Sequence, residues 1–204
     1  MNKKKLINPE DFSPSLKDCI FSEFGHQDTR IMIARLPISW GMEMLNSANQ
    51  ADASFVESNE EGKNLLGTSI TSWTIHKEPW CQPHAARLMS FMSIGMREMI
   101  SARTAYQLHL YDCWIVKYKN NSQLLPHNHG MFQALWSFVW YLDVPDEGTE
   151  IMYRVGDINL SKTVYSGDLL LFPSDVMHWS DDLHENRTVM AGNFVLSVFP
   201  KEGI

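Results

Sequence analysis

The second half of the chain is a series of short β-rich runs, and the spacing of these runs constrains the fold more than any other feature. After Thr104 the runs follow one another closely, separated by turn residues such as Asp146-Glu-Gly148 and Ser166-Gly167. This spacing leaves no room for the long crossover connections of parallel strands, so we expect mainly antiparallel sheets. Many short strands around one core indicate a sandwich, a jelly roll or a barrel. The β-rich runs are Leu108–Tyr118, Gln123–His129, Ala134–Leu142, Glu150–Tyr153, Ser161–Tyr165, Leu169–Phe172 and Thr188–Phe199.

The first half of the chain has more helical patterning. In Pro83–Arg103, apolar residues recur at three- and four-residue spacing, which predicts a helix whose apolar stripe joins the core. Ser39–Gln50 predicts another helix, with Ser39 as N-cap and Glu43 in its first turn. We therefore expect one domain over residues 1–204, in which an α-rich support region (1–104) packs on a β core (105–204). The stripe of the Pro83–Arg103 helix comprises Ala85, Leu88, Met89, Met92, Met96, Met99 and Ile100.

Composition excludes several classes of protein. The chain has 204 residues, of which 44% are hydrophobic and 20% charged, and this balance indicates a folded protein. The net charge of −7 disfavours nucleic acid as a partner, and no apolar run is long enough to predict a membrane span. Cys19, Cys81 and Cys113 form no CxxC pair, which favours a reduced, cytoplasmic setting. A homodimer, the commonest assembly, is the expected one.

Three histidines are spaced as metal ligands would be. His127 and His129 lie two residues apart in a strand-like run, and alternate residues of a strand share a face, so both imidazoles can aim at one point. His178 follows the turn, strand and proline stop of Gly167–Ser174, so it can add a third ligand from a neighbouring strand. Such a set makes a facial metal site with open positions. Taken alone, the HxH pair also fits two half-exposed strand histidines.

The residues from Trp114 to Phe199 resemble the 2-oxoglutarate- and Fe(II)-dependent oxygenases, in particular the small prolyl-hydroxylase-like proteins of bacteria and phages. The similarity is carried by WIVKYKNNSQLLPHNHGMFQALWSFVWYLDVP and SGDLLLFPSDVMHWSDDLHENRTVMAGNF. The resemblance implies a double-stranded β-helix, which is a jelly-roll or cupin-like fold, with the metal at its open end. It also implies a hydroxylase that uses O₂ and couples substrate oxidation to decarboxylation of 2-oxoglutarate to succinate.

The resemblance assigns roles to individual residues. His127 and His178 correspond to iron ligands. Arg187, nine residues after His178, corresponds to the arginine that holds the far carboxylate of 2-oxoglutarate, and its planar guanidinium suits that contact. Tyr118 corresponds to a tyrosine that donates a hydrogen bond to the cosubstrate, with a packed strand aromatic as the alternative. Asn193, six residues after Arg187, is a further candidate for the same pocket.

The sequence departs from the family at His129, where the usual motif has a carboxylate. The change removes one negative charge from the ligand set, and we expect three histidines to bind iron while the dianionic cosubstrate balances the charge. Alternatively, His129 is not a ligand, and water or a carboxylate such as that of Asp181 completes the site. Arg187 also has an alternative, a surface ion pair with Asp181, Asp182 or Glu185.

Two other functions stay open. A cupin-type dioxygenase with three histidines would not use 2-oxoglutarate; Gly167-x₅-Pro173 and His178 resemble the second cupin motif, but the glutamate expected after HxH is absent. A non-catalytic cupin-like module would bind a small molecule or a protein and need no reactive metal. For the oxygenase, we expect a small-molecule or peptidyl substrate. Candidate pocket walls, which are equally candidates for the core, are Trp136, Phe138, Trp140 and Trp179.

Overall fold

Strands dominate the part of the chain that the structure, a computed structural model, describes: residues 20–26, 29–58, 65–99, 105–130, 136–183 and 186–199. There are two α-helices among these residues, and a short 3-10 helix at Ile75–Lys77. The elements in chain order are β1 (Ile20–His26), β2 (Thr29–Arg35), α1 (Ile38–Gln50), β3 (Val56–Ser58), β4 (Leu65–Ile70), α2 (Gln82–Met99), β5 (Ala105–His127), β6 (Trp136–Asp143), β7 (Thr149–Val155), β8 (Ile158–Val164), β9 (Asp168–Pro173), β10 (Met177–Leu183) and β11 (Arg187–Phe199).

The strands form one continuous sheet with an order far from their order in sequence. The order is β1-β2-β9-β6-β11-β5-β10-β7-β8, and β4, which pairs with β3, also joins β5. Every named strand pair is antiparallel. The predictions of a mainly β protein and of antiparallel sheets are therefore confirmed, and the architecture is that of a β-sandwich or jelly roll.

The central strands are buried on both faces. On β9, Leu169 and Leu171 belong to the cluster that packs under the helices, whereas Leu170 and Phe172 belong to a second cluster inside the rolled sheet. Successive side chains of a strand point to opposite faces, so one strand serves two cores. We call these the helix-side cluster and the inner cluster. The same alternation places Cys113, Ile115, Phe138, Trp140, Leu142 and Met190 in the helix-side cluster and Trp114, Val116, Tyr118, Tyr141 and Val189 in the inner cluster.

Helix α2 supports the sheet as its apolar stripe predicts. Leu88, Met92 and Met96 are buried in the helix-side cluster, and Met89 packs against it partly buried. The side chain of Met99 and residue 100 lie outside the described part of the chain. The helix-side cluster also contains Met44 and Ala48 of α1, so both helices cover the same face of the sheet.

The prediction of an α-rich first half is wrong. Four strands accompany the two helices among the described residues before Thr104. β2 pairs with β9 and β4 pairs with β5, so these two early strands are each stabilised by a strand that lies late in the chain. Local periodicity carries no information about such distant pairing, which is why the pattern of this region was misleading.

Two local boundaries also differ from expectation. Pro37, with φ −55°, takes the N-cap position of α1, no side chain caps the helix, and Ser39 lies within its first turn. The fixed φ of proline suits a helix start. The separate runs Leu108–Tyr118 and Gln123–His129 form one long strand, β5. Strand β10, which was not predicted, is held between β5 and β7.

The described helices include none that combines the length and the apolar character needed to cross a membrane. The buried cysteines Cys81 and Cys113 are free thiols in this structure.

Gly192 marks a close approach between β11 and its neighbours, and its replacement should destabilise the fold. A Cβ atom there would lie 2.5 Å from the carbonyl oxygen of Asp112 and 2.7 Å from Cε1 of Phe138. We expect Gly192→Ala to lower the free energy of unfolding by about 1–3 kcal/mol, because neither the β5 backbone nor the packed ring can easily withdraw. Urea denaturation measures the effect. Gly130→Ala is the control, since its Cβ would make an ordinary 3.6 Å contact with Asp175; equal stability of Gly192→Ala and the wild type would contradict this reasoning.

Candidate metal centre and its cavity

Three imidazoles converge at the end of strand β5. His127 is the last residue of β5 and lies opposite His178 of β10 in the antiparallel register, while His129 follows two residues later. The backbone N–H of His129 donates to the carbonyl oxygen of Ser174, 2.7 Å away, which ties this segment to the turn between β9 and β10. The ring centroids of His127 and His178 are 4.2 Å apart, and those of His127 and His129 are 5.1 Å apart. One ligand atom from each histidine lies within 4.8 Å of the other two, a geometry that could hold a metal ion.

Backbone carbonyls orient two of the rings. Nδ1 of His127 lies 2.8 Å from the carbonyl oxygen of Leu125, and Nδ1 of His178 lies 3.1 Å from that of Val176. A carbonyl oxygen only accepts, so each Nδ1 carries the proton and each Nε2 keeps a lone pair for a metal. This hydrogen bonding of the nitrogen away from the ion is characteristic of histidine ligands.

Burial keeps the three imidazoles neutral. Desolvation and, to a smaller extent, the neighbouring His127 together lower the pKa of His129 to about 4. Desolvation also lowers the pKa of His178 well below its usual range, with the other two histidines adding to the effect. The pKa of His127 is lowered by burial as well, against the opposing effect of its backbone hydrogen bonds. Near neutral pH each of the three rings is therefore neutral and keeps one unprotonated nitrogen, which is the form of histidine that binds metals.

Arg187 is a buried cation that lines the same cavity. It begins β11 opposite Tyr118 of β5, and only 3% of its surface is exposed. Its Nη1 donates to Thr149 Oγ1 at 3.1 Å and to Ser180 Oγ at 3.2 Å, whereas its buried Nε has no hydrogen-bond partner. The guanidinium carbon lies 4.3 Å from the centroid of the Tyr118 ring. Among the described residues, no carboxylate pairs with this guanidinium.

The burial of Arg187 argues against the alternative in which this residue forms an ion pair at the surface. An arginine this deeply buried is not a surface residue. The side chains of the proposed partners, Asp181, Asp182 and Glu185, lie outside the described part of the chain. Because the side chain of Asp181 is not described, Asp181 stays an open alternative to His129 as a metal ligand.

The three histidines and Arg187 face one cavity of about 640 Å³. This volume lies within the range of roughly 300–1,000 Å³ that is typical of small-molecule sites. Tyr118 and Asn193 line it too, so all six residues predicted for the site are brought together. Of the four aromatic residues proposed as walls, Phe138 lines the cavity although it also belongs to the helix-side cluster. Trp140 belongs to that cluster and Trp136 packs against it. Trp179 is buried on β10 with Arg154 beside its ring.

A polar chain that the sequence analysis missed forms another part of the cavity wall. Asp112 Oδ1 accepts both the backbone N–H of Asn193, at 2.9 Å, and its side-chain Nδ2–H, at 2.8 Å. Ser137 Oγ donates to Asn193 Oδ1 at 2.7 Å, and Ser174 Oγ lies 3.1 Å from Ser137 Oγ. The signal for Asp112 was present in the sequence, because it lies two residues before Trp114 on β5 and therefore shares the face of the inner cluster.

Comparison with known proteins identifies solved structures that have a similar fold. No family model and no curated protein matches the chain. Among solved structures, a prolyl hydroxylase from Trichoplax adhaerens in complex with a hypoxia inducible factor peptide is similar with a TM-score of 0.61 and 16% identity, over 80% of this chain and 82% of that one. An oxidoreductase of the 2OG-Fe(II) oxygenase family from Burkholderia pseudomallei has a TM-score of 0.60 and 14% identity, over 79% and 83% of the two chains.

A third similar structure contains ligands. HygX from Streptomyces hygroscopicus, with nickel, 2-oxoglutarate and hygromycin B bound, has a TM-score of 0.55 and 15% identity, over 80% of this chain and 82% of that one. At these identities the comparisons show a common fold. The chain has the fold of the prolyl hydroxylases and other 2OG-Fe(II) oxygenases.

The histidine cluster should bind a divalent ion measurably. We expect Ni²⁺, a redox-stable probe, to raise the melting temperature of the wild type, since an ion at 100 times its Kd stabilises a folded protein by about 2.7 kcal/mol. His127→Ala, His129→Ala and His178→Ala should each abolish most of this shift, because each removes one of three nitrogen ligands. Differential scanning fluorimetry with and without Ni²⁺ provides the measurement.

His109→Ala is the control for the metal measurement, because His109 is an exposed residue elsewhere on β5. It should retain the full shift. A shift that survives in His129→Ala but not in the other two would favour the site completed by water or a carboxylate. No Ni²⁺-dependent shift in the wild type would rule out the three-histidine site.

Proposed function

We propose that this protein is a non-haem Fe(II)- and 2-oxoglutarate-dependent oxygenase that hydroxylates a small-molecule or peptidyl substrate with O₂. The observation that carries this proposal is a buried guanidinium, that of Arg187, with no carboxylate partner among the described residues, on the wall of the cavity that contains three neutral imidazoles. A buried unpaired charge is costly, and such groups concentrate at functional sites. An anionic ligand would neutralise this charge, and a metal would bind the imidazoles.

The donor set suits Fe(II). His127, His129 and His178 offer three neutral nitrogens, and imidazole is a ligand for iron, nickel, copper and zinc. Two of the rings already have Nδ1 hydrogen-bonded to the backbone, which leaves Nε2 for the ion. With three neutral ligands the protein contributes no negative charge to the ion itself. A dianionic cosubstrate would therefore balance the +2 charge of the ion, so the protein would not need to supply a carboxylate ligand.

Arg187 suits the far carboxylate of 2-oxoglutarate. Nη1 is held by Thr149 and Ser180, so the guanidinium is fixed before any ligand binds. The orphaned Nε is a buried donor that a carboxylate oxygen can satisfy. Tyr118 packs on the guanidinium, and burial raises the pKa of its phenol while Arg187 lowers it. We assign Tyr118 a cosubstrate hydrogen bond and Asn193 a contact in the same pocket.

Iron and 2-oxoglutarate, when bound, would supply oxidising power by coupling decarboxylation to succinate with hydroxylation by O₂. The residues of the chain bind, orient and shield. The histidines hold the ion, Arg187 orients the cosubstrate, and the apolar wall of Val139, Ile151, Phe172 and Val189 limits access of water.

We extend the same proposal to the whole chain. The rolled sheet is then the double-stranded β-helix of these oxygenases, and residues 1–204 form one domain with 105–204 as its core and 1–104 as its support. The role of Arg187 favours this function over the cupin-type dioxygenase, which has no need of a buried cation. It also favours an enzyme over a binding module in which the three histidines would be incidental, because the cation and the imidazoles line one cavity. A cytoplasmic setting and a homodimer stay predictions from the sequence.

The Arg187 contact provides the test of this proposal. Under anaerobic conditions with Fe(II), 2-oxoglutarate should give the weak visible charge-transfer band of its chelate, and admission of O₂ should produce succinate. Arg187→Ala should weaken 2-oxoglutarate binding by about thirtyfold or more, because truncating one partner of a buried charge pair costs roughly 2 kcal/mol or more. Arg187→Lys should recover only part of the affinity, since lysine keeps the charge but lacks the planar fork.

Arg154→Ala is the matched control, because Arg154 is an exposed arginine of β7 that does not line the cavity. Its titration should match that of the wild type. Iron binding without any response to 2-oxoglutarate would favour the cupin-type dioxygenase. The absence of stoichiometric iron would leave the binding module.

Tyr118→Phe separates the hydroxyl from the ring. The ring stacks on Arg187, so Phe should preserve the fold while removing the phenolic donor. We expect 2-oxoglutarate affinity to fall by about three- to tenfold, the value of one hydrogen bond of roughly 0.5–1.5 kcal/mol. The same charge-transfer titration measures it. An unchanged affinity would restrict Tyr118 to packing.

A further inference from the structure

The cavity has two chemically different ends. Along the paired strands β5 and β11, alternate residues face the cavity, so Tyr118 lies beside Arg187 at one end and Asp112 lies beside Asn193 at the other. Six residues separate Tyr118 from Asp112, which corresponds to roughly 20 Å of extended strand. One end of the cavity is therefore cationic, and the other end carries a carboxylate.

The histidine cluster adjoins both ends. His178 lies two residues before Ser180, whose Oγ accepts a hydrogen bond from Arg187. Trp114 lies on the cavity face of β5, two residues from Asp112 and four from Tyr118, opposite Ala191 of β11. Its ring stacks with that of His129 at a centroid distance of 6.0 Å. A group bound at Arg187 and a group bound at Asp112 would thus both lie next to the histidine cluster, at different ends of the cavity. The Arg187 end is assigned to the cosubstrate, which leaves the Asp112 end for the substrate.

Asp112 is held in place with one oxygen uncommitted. Both of its described hydrogen bonds, from the backbone and the side chain of Asn193, use Oδ1. Oδ2 has no hydrogen-bond partner among the described residues. The side-chain amide of Asn193 is itself fixed by Ser137, and both residues are buried. The carboxylate is consequently preorganised, with a free acceptor at the cavity wall.

The Asp112 end of the cavity carries a negative charge without a described cationic partner. Three described lining residues are acidic or basic: Glu57, Asp112 and Arg187. Arg187 is the one cation among them, and it lies at the far end. Glu57 already forms an ion pair with Lys119. Asp112 has no such partner within the described ranges, and its burial raises the pKa of its carboxyl group while the N–H donors of Asn193 lower it. A cationic ligand would relieve this cost of burial.

The aromatic surroundings also suit a cation. Trp73 lines the cavity with about half of its surface exposed, and its ring meets Trp114 edge to face with centroids 4.3 Å apart. The faces of indole rings attract ammonium and guanidinium groups. A carboxylate beside two indoles is a combination that recognises an organic cation.

We propose that Asp112 determines substrate specificity by binding a cationic group, an ammonium or a guanidinium, of the substrate, with Trp73 and Trp114 beside it. This inference rests on the proposed function for its placement of the substrate opposite the cosubstrate. The carboxylate and the bound cation form a charge-assisted hydrogen bond that would place a neighbouring carbon of the substrate near the histidine cluster. Neutral or anionic analogues would leave Oδ2 without a partner.

A binding measurement that needs no turnover tests the assignment. Nα-acetyl-lysine methylamide is the cationic probe, its Nε-acetyl derivative the neutral one, and Nα-acetyl-glutamate methylamide the anionic one. Tryptophan fluorescence of the full chain, to which Trp73 and Trp114 contribute, follows each titration. We expect the cationic probe to bind at least about tenfold more tightly than the other two, since hydrogen bonds to charged groups contribute roughly 1.5–3 kcal/mol.

Asp112→Asn should abolish this preference for the cation. Asparagine keeps an Oδ1 acceptor for Asn193, so the fold and the polar chain are expected to survive, which a melting curve checks. Glu57→Gln and Asp143→Asn are the matched controls; the first removes a paired carboxylate of the cavity and the second an exposed one outside it. Both should retain the preference.

The outcomes separate this inference from the proposed function. Equal binding of the three probes, or a preference that persists in Asp112→Asn or disappears in Glu57→Gln, would overturn the role of Asp112 even if 2-oxoglutarate binds as proposed. A cation preference that depends on Asp112 in a protein that fails to bind 2-oxoglutarate would support the cation site and refute the oxygenase.

Discussion

The antiparallel pairing of β5 with β11 positions most of the groups on which the proposed chemistry depends. Its register places Arg187 opposite Tyr118 and Asn193 opposite Asp112, and β5 then continues to His127. A slip of one residue would turn these side chains to the helix-side face and bring apolar residues into the cavity. Gly192 allows β11 to approach β5 closely, because a Cβ atom at this residue would lie only 2.5 Å from the carbonyl oxygen of Asp112.

The electrostatics of the cavity follow from burial. Burial keeps the three imidazoles neutral, so they can bind a cation without first losing protons. Arg187 adds a buried guanidinium to the same cavity. A buried guanidinium without a carboxylate partner costs stability, and an anionic ligand recovers that cost as binding energy. In this way a site that is poor for stability is suited to holding a dianion beside a metal.

The successes and failures of the sequence analysis have a common physical origin. The stripe of α2 and the spacing of His127 and His129 were readable because helical and strand periodicity are local properties. The early strand β4 was not predicted, because it is stabilised by pairing with β5, far along the chain. Trp140 illustrates a further limit, since alternation along β6 shows that it shares a face with Phe138 but not which side of the sheet that face meets.

The sequence by itself determined the antiparallel β character of the second half, the supporting helix α2 and the candidate set of three histidines and one arginine. The first two features depend on residue type and on spacing within single segments, whereas Arg187 entered the candidate set through the family resemblance. The tertiary structure alone decided that Arg187 is buried without a described carboxylate partner, that Asp112 faces the same cavity, and that the two lie at different ends of the β5–β11 pair. Burial and charge environment depend on which strands meet, and strand pairing is a property of the whole chain.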